Sequence, residues 1–367
     1  MTTTILPKPR PGVLEIESYR GGEAGAPGFA KPIRLASNES ALGPSPRAMA
    51  AYAALAPEMH RYPDGESGAL RQTIARHYGL DAERIVCGNG SDELISLLTK
   101  AYAGPGDEVL YSRHGFLMYP IAATAAGAKS VTAPEHDLTA DVDALLKAVT
   151  PRTRIVFLAN PNNPTGTYLS SDEVVRLHAG LPKSALLVID AAYAEYVQRN
   201  DYEPGIALVE ANQNVVMTRT FSKIYALAGL RVGWAYLSAP VADVLNRVRN
   251  PFNLNAAAQA AAVAALDDVA ATDRAREHND IWLPWLAREL SALGLTVNPS
   301  VGNFLIARFP TERGRTAADT FEFLKSRGIL TRKIVGYGLP EWLRIGVGME
   351  EEMRIVVATI AELFKGA

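Results

Sequence analysis

Cysteine is nearly missing from this chain of 367 residues: Cys87 stands alone. A single thiol excludes an intrachain disulfide framework and a thiolate-rich metal site, and it fits a reducing compartment, so the cytoplasm is the expected location. An excess of one charge is missing too. Lys and Arg number 37 against 39 Asp and Glu, a net charge of -2, which gives no chain-wide footprint for gripping nucleic acid or an anionic membrane. Neither is expected as a partner. No apolar run is long enough to cross a bilayer, and the first residues, with Pro7, Pro9 and Pro11, read as an extended arm rather than a signal peptide. The histidines at 60, 77, 114, 136, 178 and 278 include no pair spaced to share a metal, so none is expected. Gly-x-Gly occurs at Gly88 to Gly90, Gly336 to Gly338 and Gly346 to Gly348, without the third glycine of a dinucleotide fingerprint. A phosphate-binding Walker loop and a Gly-x-Ser-x-Gly elbow are also lacking.

What is present is an ordinary globular composition, 48% hydrophobic and 21% charged, in a chain long enough for about two domains. From residue 83 onward, short β-branched runs alternate with longer amphipathic stretches. That alternation predicts an α/β fold with a mostly parallel sheet. Seven strands are expected at Arg84 to Cys87, Glu108 to Ser112, Lys129 to Ala133, Arg154 to Ala159, Ala185 to Asp190, Asn214 to Thr218 and Val232 to Leu237. Helices are expected at 91–102, 116–126, 170–180 and 239–249, the third opened by the cap signal Ser170-Ser171-Asp172-Glu173. Residues 256–292 are Ala-rich and helical, broken by Pro284. Beyond them the pattern is α+β: strand 303–309, helix 317–327, strands 328–332 and 342–347, and a closing helix 350–365.

The most informative run is Thr220-Phe221-Ser222-Lys223-Ile224-Tyr225-Ala226-Leu227-Ala228-Gly229-Leu230-Arg231-Val232-Gly233-Trp234. Lys223 lies just past the carboxyl end of a buried strand, where open α/β sheets place their ligands, and it has hydroxyls on both sides. Enclosure there removes solvation and favours the neutral amine that a Schiff-base lysine requires. The run resembles the lysine motif of the fold-type-I pyridoxal-phosphate aminotransferases, and within their class II subgroup it is most similar to the histidinol-phosphate aminotransferase branch. The similarity extends along nearly the whole chain in the same motif order.

The resemblance implies a site. Gly88-Asn89-Gly90-Ser91-Asp92-Glu93 follows a strand and opens a helix, so the free N–H groups of Ser91 and Asp92 can cradle a phosphate; read alone, the loop is equally a tight turn with an N-cap. With Thr220, Ser222 and Arg231 it matches the family's phosphate cup. Asp190, at a strand end where a helix cap would also fit, matches the aspartate that keeps the cofactor's ring nitrogen protonated. Tyr193 and Asn163, the latter in Asn160-Pro161-Asn162-Asn163-Pro164-Thr165-Gly166, match the partners of the cofactor's phenolic oxygen. Phe116 matches the aromatic stacked on the ring, or is otherwise core. Lys223, Asp190 and Tyr193 are thereby expected to be catalytic.

At the substrate end, fixed guanidinium forks suit anionic groups. Arg344 matches the arginine for an amino-acid carboxylate and Arg332 one for the substrate phosphate, although each is otherwise an exposed strand charge. Tyr19 and Tyr62 resemble tyrosines that complete the phosphate pocket, Tyr62 from the partner of a homodimer with shared active sites. The implied reaction moves the amino group of L-histidinol phosphate to 2-oxoglutarate, giving imidazole-acetol phosphate and L-glutamate. An aromatic amino-acid aminotransferase and a pyridoxal-phosphate decarboxylase of a phosphorylated amino acid stay open. Against a non-catalytic regulator stand the short arm ahead of Ser37 and the near-zero charge. Departures lie at Ser37-Asn38-Glu39-Ser40-Ala41 (Asn-Glu-Asn-Pro in many relatives), at Thr220 (often serine) and at His114-Gly115 (often Pro-Thr); they bear on substrate breadth. The implied division is an N-terminal arm and part of a small domain over 1–44, a large cofactor domain over 45–255, a helical bridge over 256–292 and a small C-terminal domain over 293–367.

Overall fold

The computed structural model describes residues 8–366; Pro7, read as part of the arm, lies outside them. Runs such as Leu186-Leu187-Val188-Ile189 are apolar at every position because the sheet they form is covered on both faces. Its strands are β2 (Ile85–Gly88), β3 (Glu108–Ser112), β4 (Lys129–Ala133), β5 (Thr153–Ala159), β6 (Leu186–Asp190), β7 (Val215–Thr220) and β8 (Gly233–Tyr236), β1 being a short strand, Ile33–Arg34, outside it. They lie side by side in the order β2-β8-β7-β6-β5-β3-β4. All neighbours are parallel except β8, which runs against both β2 and β7. Leu187 and Ile189 point to one core, with Leu70, Ile74 and Trp234. Leu186 and Val188 point to the other, with Leu94, Leu98 and Tyr119. Each such side chain, fully buried, contributes about 1.5–3 kcal/mol.

The helices over these faces are α1 (Pro46–Ala54), α2 (Gly68–Tyr78), α3 (Ser91–Tyr102), α4 (Met118–Ala126), α5 (Val142–Ala148), α6 (Ser171–Gly180) and α7 (Ala239–Val248). The Ser170 side chain accepts from the backbone of Glu173, so the expected cap opens α6. Helix α4 begins two residues later than expected, after a turn that leaves Phe116 outside it.

The Ala-rich stretch departs from expectation. Pro284 does not break it: α8 (Ala256–Leu266) ends at Asp267, and α9 (Val269–Ala292) runs straight through the proline. The break falls where the Asp268 side chain caps the backbone of Ala271. Pro284 removes one helical hydrogen bond, a cost of about 3 kcal/mol, within a helix anchored on both sides by buried Trp282, Leu286 and Leu290.

A second, antiparallel sheet has the order β9-β10-β13-β12, from β9 (Thr296–Val297), β10 (Phe304–Arg308), β12 (Arg332–Ile334) and β13 (Leu339–Gly346). The expected strand at 328–332 divides: Ile329–Leu330, here β11, pairs in parallel with β1, and after buried Thr331 the chain joins β13 instead. Residues 33–34 therefore join the small sheet's side of the molecule. Helices α10 (Ala317–Ser326) and α11 (Glu350–Gly366) pack on this sheet over a core of Leu305, Phe321, Leu343, Ile345 and Val356. No helix among the described residues is long and apolar enough to cross a membrane.

Candidate active site

The carboxyl ends of β5, β6 and β7 are adjacent in the sheet, and a cavity of about 240 Å³ opens at their edge. Asp190 ends β6 and Thr220 ends β7, two residues beyond the expected strand boundary. Because β8 runs the other way, its first residue, Gly233, lies beside both Gly88 and Thr220. A Cβ at Gly233 would come within 2.5 Å of the Ser91 backbone nitrogen, so a glycine here lets the start of α3 close onto the sheet edge.

That closure builds an anion cradle. Ser91 and Asp92 form the first turn of α3, whose leading N–H groups have no carbonyl partners within the helix. Ser222 donates its backbone N–H to Thr220 Oγ1 at 3.1 Å, and the two hydroxyls are 3.0 Å apart. Arg231, held at φ 55°, donates to Ser222 Oγ at 3.3 Å and to Asp92 Oδ2 at 3.0 Å. Gly90 sits at φ 85°, where a side chain is strained, and a Cβ on it would also push the Arg231 guanidinium out of place. Helix N–H groups, two hydroxyls and a guanidinium together suit a phosphate dianion.

Lys223 lines the same cavity, its Nζ donating to the Ser37 carbonyl at 3.0 Å. Burial, reinforced by the nearby Arg344, lowers its pKa to about 8, against a smaller upward pull from Asp92 and Glu39. About a tenth of such amines are neutral at pH 7, against roughly one in three thousand at an ordinary 10.5. Asp190 faces the cavity as a carboxylate 5% exposed, its pKa raised to about 6 by burial even though Tyr119 and Thr218 donate to it at 2.9 and 3.2 Å. A cationic partner would relieve that burial. Phe116 lines the cavity edge-on to Tyr119, with ring centres 5.9 Å apart.

Tyr193 and Asn163 also line it, beside Tyr19. The Tyr193 hydroxyl accepts from Asn38 Nδ2 at 2.9 Å, and its ring centre lies 5.5 Å from Lys223 Nζ. Asn163 Oδ1 accepts from Arg344, whose other terminal nitrogen donates to the Ala36 carbonyl at 2.7 Å. Arg344 is thus buried directly behind Asn163, with its Nε lacking a partner. Arg332 lines an adjoining cavity of about 680 Å³ with Tyr19, and its guanidinium donates to the Arg20 carbonyl. Tyr62 stands apart, 83% exposed and stacked on Phe252 at 4.6 Å.

Sequence reasoning assigned no role to Tyr119, Thr218, Ser37 or Asn38, which hold Asp190, Lys223 and Tyr193. A signal existed for Asn38 alone: Asn tolerates positive φ more readily than most residues, and Asn38 adopts φ 54°.

The family model for aminotransferases of class I and II matches residues 30–360. Histidinol-phosphate aminotransferase of Paramagnetospirillum magneticum is 62% identical over 361 residues, covering 98% of this chain and 99% of its own length. That of Rhodospirillum rubrum is 54% identical over 366 residues, covering 100% and 99%. Among solved structures, the histidinol-phosphate aminotransferase from Sinorhizobium meliloti, in complex with pyridoxal-5'-phosphate, superposes with a TM-score of 0.88 at 28% identity, over 99% of both chains.

Proposed function

The chain belongs to the class I and II aminotransferases, and from that premise we propose that it transfers the amino group of L-histidinol phosphate to 2-oxoglutarate, using pyridoxal 5'-phosphate. One observation carries the reading: a single cavity brings together an anion cradle, a buried carboxylate and an amine of lowered pKa. These residues fit the cofactor's phosphate, its ring nitrogen and its aldehyde. When bound, the cofactor supplies the aldehyde that takes up the amino group and a ring that draws electrons from the adjacent carbon.

The chain's own residues do the rest. Ser91, Asp92, Thr220, Ser222 and Arg231 hold the phosphate. Asp190, ionised above pH 6, holds the proton on the ring nitrogen. Tyr193 and the Nδ2 of Asn163, which makes no hydrogen bond among the described residues, would hold the phenolic oxygen, and Phe116 would support the ring. Lys223 would hold the cofactor's aldehyde, and its amine, neutral more often than an ordinary lysine's, would serve as the base that holds and moves the proton at the substrate carbon. Arg332 and Tyr19 receive the substrate phosphate in the adjoining cavity, and Arg344 takes the carboxylate of glutamate by exchanging its bond to Asn163, which lines the cofactor cavity. Residues 45–255 carry the cofactor, 256–292 bridge, and 1–44 with 293–367 form the closing side. The enzyme acts in the cytoplasm as a homodimer whose Tyr62 reaches the partner's site; exposed Met49, Tyr52, Met59, Tyr62 and Phe252 offer the apolar face.

The test is a half-reaction panel that follows the cofactor's spectrum as histidinol phosphate, phenylalanine, tyrosine or glutamate is added singly, with released carbon dioxide measured. Histidinol phosphate and glutamate are expected to convert the cofactor to its amine form without carbon dioxide. Conversion by phenylalanine with none by histidinol phosphate would overturn the substrate assignment.

A further inference from the structure

The segment 35–39 crosses the cavity as a strap fixed from several sides. The Ala36 carbonyl accepts from Arg344 at 2.7 Å, that of Ser37 from Lys223 at 3.0 Å, and those of Asn38 and Glu39 from the Asn303 amide at 3.1 and 3.2 Å. Asn38 itself sits at φ 54°, a conformation Asn adopts more readily than other side-chain-bearing residues. A backbone pinned in this way leaves its side chain, 1% exposed, one place to go: its Nδ2 donates to the Tyr193 hydroxyl at 2.9 Å.

This contact fixes the direction of a proton. A phenol has one O–H to give, and its oxygen accepts. Asn38 supplies the bond that the oxygen accepts, and no acceptor for the Tyr193 O–H exists among the described residues. The Tyr193 ring is held from the other side by Phe304, with centres 5.1 Å apart at 65°, so the hydroxyl is presented to the cavity it lines. Turned over, the Asn38 amide would bury its N–H bonds where Oδ1 now lacks a partner, a costlier arrangement than one unpartnered carbonyl. The charged groups around Tyr193 are Arg344, Asp190, Asp92 and Lys223.

We infer that Asn38 is a positioning residue whose amide keeps the Tyr193 phenol as a hydrogen-bond donor to the bound cofactor's phenolic oxygen. This rests on the placement of Tyr193 proposed above. A donated proton stabilises the phenolate form of the cofactor and lowers the pH at which the lysine-bound cofactor changes absorbance. An acceptor at position 38 would take that proton away.

The experiment titrates the absorbance of the purified, cofactor-loaded enzyme and of the variants Asn38→Asp, Asn38→Gly, Tyr193→Phe and Asn38→Asp/Tyr193→Phe, with thermal unfolding of each cofactor-free form as a check on folding. Gly is compatible with the strap's backbone and removes only the amide. Tyr193→Phe is expected to raise the midpoint by about one pH unit, a tenfold change in proton affinity, and Asn38→Asp by a similar amount. Asn38→Gly should raise it by less. In the double variant the shift should fall well short of the sum, because the aspartate then has no phenol to redirect. Full additivity, or an unmoved midpoint in both folded Asn38 variants while Tyr193→Phe shifts it, would overturn the role of Asn38. An unmoved midpoint in Tyr193→Phe would instead remove Tyr193 from the phenolic oxygen, and the inference with it.

Discussion

Asp190 and Tyr62 are both single polar side chains singled out by sequence, yet one is 5% exposed at the end of a buried strand and the other 83% exposed on the surface. The same contrast divides the whole site. Asp190, Thr220 and Ser91 stand where buried strands end or a helix begins, so the hydrophobic cores on both sheet faces fix their positions. Tyr19, 48% exposed, hangs on an arm without regular structure over 17–25, and Arg332 sits on a three-residue strand. Groups fixed by the core are preorganised before ligand arrives, whereas groups on the arm lack that support. Substitution at a strand end should therefore strike turnover or cofactor retention, and substitution on the arm side should strike substrate affinity.

The largest effect is expected at Lys223. Lys223→Ala should cost at least about a thousandfold in turnover, since anchor and proton carrier are lost together. The characteristic absorbance of the lysine-bound cofactor should vanish as well. Near-normal transamination by a protein verified by mass would remove Lys223 from the mechanism and dissolve the contrast.

Asp190→Asn separates folding from binding at one residue. The folded pKa is raised to about 6 from 3.8, so between those values the folded state holds a proton that the unfolded state has lost, and stability of the cofactor-free protein falls as pH rises through that window. By pH 7 the buried charge is present on about nine in ten of these carboxylates. Asparagine removes it, and cofactor-free stability at pH 7 should rise by about 1–2 kcal/mol, the full shift being discounted for imperfect bonding to Tyr119 and Thr218. Cofactor affinity should instead fall about a hundredfold, as expected when a charged hydrogen bond to the ring nitrogen is lost. Calorimetry with and without cofactor reads both. Loss of cofactor-free stability would show the carboxylate to be a structural support rather than a poised ligand.

The asymmetry also governs what sequence could tell. Strand and helix positions were legible because covered strands are apolar throughout and α3 runs from Ser91 to Tyr102 as its apolar period indicates. Asp190, Ser222, Lys223 and Arg231 were legible because the functional group lies within a few residues of a recognisable strand end. The pairings that orient them were not. Asn38 meets Tyr193 across 155 positions, Tyr119 meets Asp190 across 71, and Arg344 meets Asn163 across 181, and no local pattern encodes such distances. The division of residues 328–332 between two sheets was hidden for the same reason, since only β1, three hundred residues earlier, shows which pairing wins. At Pro284 local chemistry pointed the wrong way, because burial of Trp282 and Leu286 outweighs the lost hydrogen bond.

The smallest effect should come from the arm side, and it tests the contrast most directly. Arg332 gives its guanidinium to the Arg20 carbonyl, so the arginine both binds the arm and faces the cavity that the arm roofs. Arg332→Ala should raise KM for histidinol phosphate by about tenfold to a hundredfold, the range for a charge-assisted pair with phosphate, while kcat changes little. Glutamate has no phosphate, so its half-reaction should keep its rate within about twofold, and the lysine-bound absorbance should be unchanged. A purely structural role would damage both half-reactions alike. Equal losses for the two donors would therefore place Arg332 with the strand-end groups, and the division of the site into a core-fixed half and an arm-fixed half would have to be drawn elsewhere.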